Sequence, residues 1–465
     1  MRARIALVAM LSTACVGNPR SSVYETVDAR IGRDVFAASR GGEATREAGS
    51  GEGVDALLRA PLDPDRAARV ALLNHPDARA AVDELGIANA RLLQASLLPN
   101  PELDSETRLG REGAGDEFEA HAVMNVTSLI TLPLRRAAAE AELSAAQLRS
   151  ADALLRMAYE TRVAFIHYQA ALQQRELALR FVEATRAGFE IAQGIVTAGN
   201  APELHALMQR SLYEESRLAL ARAELEVLDR REALQVHMGL TGEATGWAAE
   251  ETLPELPEAD EDVEALEGRA IEASLQLAAF EHRLIAFARR HGVARSAGLI
   301  PELRAGVSGS VAEGILAFGP AISVTLPLFD QGIAASDEIE AELMVERDHM
   351  IAAAIAIRSM VRRADNRVRS ARAQERFISE TLIPVRDAVV QQTLLQYNAM
   401  GATPFQLLAA RRDQIEASRA LVDSRRDYWL ARAALDQALA GGSVSLEPIE
   451  GARAMATGGD PSGGH

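Results

Sequence analysis

Histidines are the first residues to weigh for chemistry, because imidazole binds metals and moves protons near neutral pH. The chain has 9 of them, at 75, 121, 167, 205, 237, 282, 291, 349 and 465. No two form a His-x-x-x-His pair, and none sits in a compact carboxylate cluster of the metal-ligand kind. They read as helix-surface or packing residues. No Gly-x-Ser-x-Gly elbow, phosphate loop or dinucleotide fingerprint appears. Gly306-Val307-Ser308-Gly309-Ser310 lies in an alternating stretch and lacks the following helix that a phosphate loop needs. No catalytic residue, cofactor or metal site is expected, and an enzyme is the last reading. The net charge of −17 argues against a nucleic-acid partner.

The single cysteine, Cys15, has a different chemistry. It excludes a disulfide framework. Arg2 and Arg4 precede the apolar run Ile5–Leu11, and small residues follow, so residues 1–15 read as an export signal. A cysteine there matches the lipidated N-terminus of a bacterial lipoprotein, although Ser12 stands where such signals usually carry leucine. Cleavage of an ordinary signal nearby is the other reading.

The elements that position everything else come as a repeat. Leu98-Pro99-Asn100-Pro101-Glu102-Leu103 is echoed by Leu299-Ile300-Pro301-Glu302-Leu303, and Thr131-Leu132-Pro133-Leu134 by Thr325-Leu326-Pro327-Leu328. Gly199-Asn200-Ala201-Pro202 is echoed by Gly401-Ala402-Thr403-Pro404. The offset is about 200 residues each time, so one block occurs twice. Residues 16–62 read as a flexible linker, 63–240 as the first repeat, 241–261 as an acidic connection, 262–442 as the second repeat and 443–465 as a disordered tail.

Within each repeat the period of apolar residues changes. A leading helix is expected after Asp63, which suits an N-cap before Pro64, with a break at Pro76. Alternation of period two predicts strands over about 103–109 and 117–132, and again over about 302–311 and 317–327. Pro133 and Pro327 then mark the strand-to-helix junctions. About 63 residues without a strong breaker follow Pro133, roughly 95 Å of helix, with apolar heptads such as Phe165, Leu172 and Leu179. Pro384, inside the second long helix, should kink it or leave a carbonyl unpaired. The class is mainly α with a small β part: two long coiled-coil hairpins, each with a β-hairpin. No stretch is long and apolar enough for a membrane-spanning helix, so any crossing must use a closed barrel. Four strands are too few for one, and several copies would have to share it.

Over about residues 62–442 the chain resembles TolC-like outer-membrane efflux proteins, in particular those serving resistance-nodulation-division pumps. The motifs that carry this are Leu98–Leu103, Thr325–Gly332 and Tyr397–Ala410 followed by Arg411-Arg412. The resemblance implies a homotrimer, a twelve-stranded barrel in the outer-membrane lipid of a Gram-negative bacterium and an α-helical periplasmic tunnel. It implies a passive conduit for metal ions, drugs or other small molecules, fed by an inner-membrane pump through a periplasmic adaptor. Gly199, Leu204, Gly401, Pro404, Leu407 and Leu408 then become tip and adaptor-contact candidates. Some members carry two aspartates at a tunnel constriction; here those positions hold Gln406 and Ala409, with Asp413 one turn on. A type I secretion conduit and a pore-less coiled-coil scaffolding lipoprotein stay open as alternatives.

Overall fold

A computed structural model describes residues 19–31, 50–109, 117–258, 266–299, 302–312, 315–325, 328–329 and 331–444. Cys15 and Pro327 lie outside them. The order is α1 (Pro19–Ile31), α2 (Ser50–Leu58), α3 (Pro64–Asn74), α4 (Pro76–Ser96), β1 (Glu102–Arg108), β2 (Glu117–Asn125), α5 (Thr127–Thr197) and α6 (Glu203–Met238). The second half gives α7 (Leu266–Ala273), α8 (Leu275–Leu299), β3 (Glu302–Ala312), β4 (Ile315–Thr325), α9 (Ile333–Phe377), a π-turn (Ile378–Leu382), α10 (Ile383–Asn398) and α11 (Pro404–Leu439).

The chain divides into two compact units. Among the described residues, one contains 19–26 with those of Ala80–Ala151 and Leu275–Ile355; the other contains those of Val27–Arg79 and Asp152–Ser274 and residues 356–444. The first holds the sheet, one antiparallel layer in the order β1-β2-β3-β4. The inner pair joins the two repeats, with Ala122 opposite Val307 and Asn125 opposite Arg304.

The described residues of the second unit are helix and connection, and its hydrophobic cores include two rich in aliphatic and aromatic side chains. Leu62, Val70, Phe165, Tyr168, Leu172, Leu234 and Met238 bury one around Trp247 of the connection. Arg231 lies 4.2 Å from the Trp247 ring and donates to the carbonyls of Thr245 and Trp247. Ala270, Met360, Val361, Ala364, Val368, Tyr428 and Leu435 form the other. Asp63 caps α3, accepting from the Arg66 amide at 2.8 Å. Removing such aliphatic and aromatic surface from water is the main stabilisation here, at about 25 cal/mol per Å².

Several expectations are corrected. Residues 16–62 are not simply a linker: α1 and α2 lie within them, and Val23, Val27 and Val54 are buried. Average composition hid the i, i+4 pair Val23/Val27, which makes one apolar stripe on a short helix. The strand expected over 117–132 ends at Asn125, and helix begins at Thr127. Val126, Ser128 and Ile130 fit period two as well as they fit a first helical turn. Pro133 is consequently not the junction. It lies inside α5, where the side chains of Thr131 and Arg135 both donate to the Ser128 carbonyl. The leading helix of the second repeat is divided at Ser274, although no proline stands there. The tail is ordered through its first residues, because the Ser443 amide and hydroxyl donate to the Asp152 carboxylate at 2.6 and 2.9 Å.

Pro384 is the second residue of α10, with only Ile383 between it and the π-turn. A proline lacks the N–H that would bond the carbonyl four residues back, and its ring clashes with that carbonyl. Here the Ile383 amide reaches the Ile378 carbonyl five residues back, widening the helix by one residue before the proline. The conflict is resolved by widening.

Candidate functional site: a two-faced sheet and a pair of helix turns

Register decides which side chains share a face of the sheet. Arg108 opposes Glu117, Glu106 opposes Glu119 and Asp104 opposes His121. Asn125 opposes Arg304, and Ser308 opposes both His121 and Gly319. One face is therefore polar and rich in carboxylates near its β1 edge. The other carries Leu103, Phe118, Val307, Leu316, Phe318, Ile322 and Val324. Phe318 is 78% exposed and Leu103 76% exposed on that face. Exposed aliphatic and aromatic rows on one side with charge on the other is the pattern of a wall between lipid and water. Phe318 lies across Gly309, whose absent side chain leaves room for the ring.

Ion pairs organise the polar face. Arg304 contacts Glu102 at 2.7 Å and Glu302 at 3.0 Å. Arg108 contacts Glu106 at 3.1 Å, and His121 lies 3.2 Å from Glu119. Of the carboxylates on this face, Glu102, Asp104, Glu106, Glu117, Glu119 and Glu302 outnumber the two arginines, so the face is net acidic.

Asn125 makes the turn from sheet to helix. Its Oδ1 accepts from the Ser128 amide at 3.0 Å, and its Nδ2 donates to Glu302 at 2.8 Å. The Thr127 hydroxyl accepts from the Leu303 amide at 2.8 Å. Sequence reasoning missed Asn125. Its signal was an asparagine three residues before Ser128 at the start of a helix.

The helix turns belong to the other unit. At the first, Gly199 takes a left-handed φ of 75° and α6 starts after Pro202, which makes no side-chain cap. At the second, Met400 takes the left-handed conformation and Thr403 caps α11. Thr403 and Gln406 form a reciprocal capping box: the Gln406 amide donates to the Thr403 hydroxyl and the Thr403 amide to the Gln406 side chain. The turns meet where His205 packs edge-on to Phe405 at 5.7 Å. Behind them, Leu408 seats on Gly188, where a Cβ would fall 2.1 Å from the leucine Cδ1. A cleft of about 550 Å³ opens there, walled by Leu177, Gly188, Tyr397, Pro404, Leu407 and Leu408.

Solved structures share this fold. A membrane protein from Pseudomonas aeruginosa superposes with a TM-score of 0.71 at 20% identity, over 86% of this chain and 96% of its own. The CusC channel superposes at 0.67 and 18%, over 82% and 92%. The Campylobacter jejuni CmeC outer membrane channel superposes at 0.67 and 15%, over 85% and 88%. This chain has the TolC-like outer-membrane channel fold. No family model matches the sequence, and no curated protein does.

Within the channel fold the candidate residues take distinct places. Gly199 and Leu204 lie at the first turn, and Leu204 is exposed; Gly401 and Pro404 lie at the second. Leu407 and Leu408 line the cleft instead of standing free at the turn. Gln406 spends its side chain on the capping box, and Ala409 is exposed on α11. Asp413 pairs with Arg386 at 2.8 Å, so its charge is compensated. Among the described residues, no cluster of three or more histidine, cysteine, aspartate or glutamate side chains could hold a metal ion.

Proposed function

We propose that the chain is the outer-membrane conduit of a tripartite efflux system. The observation that carries this reading is the sheet, with its apolar face, its acidic face and its two open edges at β1 and β4. Open edges are not tolerated in a bilayer, and four strands cannot close a barrel alone. Three copies related by a threefold axis would supply twelve strands and satisfy every edge. The acidic face would line a wet lumen and the Phe318 face would meet lipid. The helices would extend into the periplasm, where the turns at Gly199 and Gly401 would meet an adaptor linked to an inner-membrane pump of the resistance-nodulation-division class. The conduit performs no chemistry; its cargo is selected by the pump among metal ions, drugs or other small molecules. An acidic lumen favours cations over anions of similar size.

The test is reconstitution of the full chain in planar bilayers. Stable single-channel conductance with a cation-biased reversal potential, together with a cross-linked species of three chains, is the expected result. A monomer that binds vesicles without conducting would overturn the reading.

A further inference from the structure

In the sheet-containing unit, α4, α5 and α8 enclose a cleft of about 190 Å³. Two of its helices present the same four-position face. On α5, Glu142 and Arg149 bracket Ala145 and Ala146; on α8, Arg283 and Arg290 bracket Ala286 and Phe287. Positions i, i+3, i+4 and i+7 lie on one side of a helix, so each helix shows two charged ends about 10 Å apart with small or aromatic residues between. Ala145 and Ala286 are buried and form the floor. The alanines leave the space, and the arginines rim it.

Helix α5 leaves β2 and α8 leads into its antiparallel neighbour β3, so the two helices run in opposite senses, and Arg290 meets Glu142 between them. Arg149 and Arg283 therefore stand at one level at the far end. Arg283 is held by Glu346 at 2.8 Å, a carboxylate that is itself buried. On the third side, the Ser150 hydroxyl donates to the Ala81 carbonyl, and Leu92 packs on Ala139 and Leu143. That register sets Arg91 near the level of Glu142. Each end thus has two guanidiniums and one carboxylate. Among the described residues, neither Arg91 nor Arg149 makes an ion pair. A local excess of two positive charges in a chain of net charge −17 is not explained by composition.

We propose that this cleft binds a phosphate-type dianion, either a free phosphate or the phosphomonoester of a lipid headgroup. Guanidinium forks match phosphate oxygens in pairs, and arginine stays charged at any physiological pH. Arg91 and Arg149 supply the uncompensated charge, while Glu142 and Glu346 hold Arg290 and Arg283 in place. The inference is independent of the conduit reading and fails separately from it.

The test uses the full chain in detergent, with thermal unfolding followed against inorganic phosphate and against sodium chloride of equal ionic strength. Phosphate is expected to raise Tm saturably and chloride is not, because a ligand bound only by the folded state stabilises it by mass action. Arg91→Gln and Arg149→Gln should each weaken apparent phosphate affinity about tenfold or more. Arg156→Gln, on an exposed arginine paired with Glu160 on the same helix, should leave it unchanged. A lipid source is supported if bilayer discs containing phosphatidic acid retain that lipid on the chain and free phosphate competes poorly. A free-phosphate source is supported by the reverse. Equal effects of phosphate and chloride would overturn the site, as would unchanged phosphate binding in both variants. Loss of self-association in the variants without loss of phosphate binding would also overturn it, since the arginines would then serve a second copy of the chain.

Discussion

The two repeats close their return helices in the same way against different partners. Helix α6 ends at Gly239 and α11 is followed by Gly441; both glycines are left-handed, with φ of 65° and 87°. Each lies against the break in its own repeat's leading helix, Gly239 on His75 and Gly441 on Ala273. In the first repeat a proline sits at the break, Pro76. In the second there is none, and the chain parts at Ser274, whose amide reaches the Ile271 carbonyl at 3.3 Å. The same interruption is thus written into the chain once and imposed by packing once. A helix can be stopped by its own backbone chemistry or by a neighbour that takes its place.

The sharpest way to break this comparison is at the glycines. A Cβ on Gly441 would fall 2.0 Å from the backbone oxygen of Ala273, and a side chain at φ 87° is strained besides. Gly441→Ala should cost about 1–2 kcal/mol for the left-handed backbone and about 1–3 kcal/mol for the clash. Gly239→Ala meets the His75 Cα at 2.9 Å, a milder approach, and should cost less. Chemical denaturation of the two variants would measure the difference; equal losses would mean that backbone strain alone matters.

Pro384→Ala tests the other asymmetry, since α5 is continuous where the second long helix widens into a π-turn. Restoring the missing N–H should let the widened turn return to ordinary α-helix, seen as slower hydrogen exchange over residues 378–384. Unchanged exchange there would assign the π-turn to packing instead of to the proline. If the conduit reading holds, opening frequency in bilayers should change as well.

Thr403→Ala should cost about 1 kcal/mol, the usual value of a lost N-cap. Pro202→Ala at the matching turn should cost much less, because no side-chain cap is lost there. Similar thermal shifts for both would remove the distinction between the turns.

The smallest expected effect concerns acid. Burial, opposed by the Glu160 carboxylate and joined by a smaller contribution from His75, holds the His237 pKa below its ordinary value. The unfolded chain then binds that proton more readily, so the stability from neutral His237 is full above about pH 6.5 and is lost as pH falls toward the lowered folded value. The second repeat has Leu439 at the corresponding place. His237→Gln should flatten the dependence of stability between about pH 7 and 5; a slope equal to that of the unaltered chain would assign it to other groups.

Much of the architecture was readable because its signals are local. Repeated Gly-x-x-Pro turns, an Asp-Pro helix start and a change of period from 3.6 to two each act within a few residues. The helix expected after Pro133 failed only at its beginning, where Val126, Ser128 and Ile130 satisfy both periods. Asn125, the residue that turns strand into helix, was missed because its second partner, Glu302, lies in the other repeat.

What the sequence determined by itself was the list of elements, their doubling and the two-faced alternation of the strands. All follow from backbone chemistry and side-chain period. Only the tertiary structure decided the register that gathers the carboxylates of β1 and β2 onto one face, the break at Ser274 without a proline, and the pairing of Asp413 with Arg386. It also decided that Arg149 and Arg283 line one cleft from two different helices. These depend on which residues far apart in the chain stand at the same level. No local pattern carries that information, because it is set by how whole helices and strands pack and by the loops that align them.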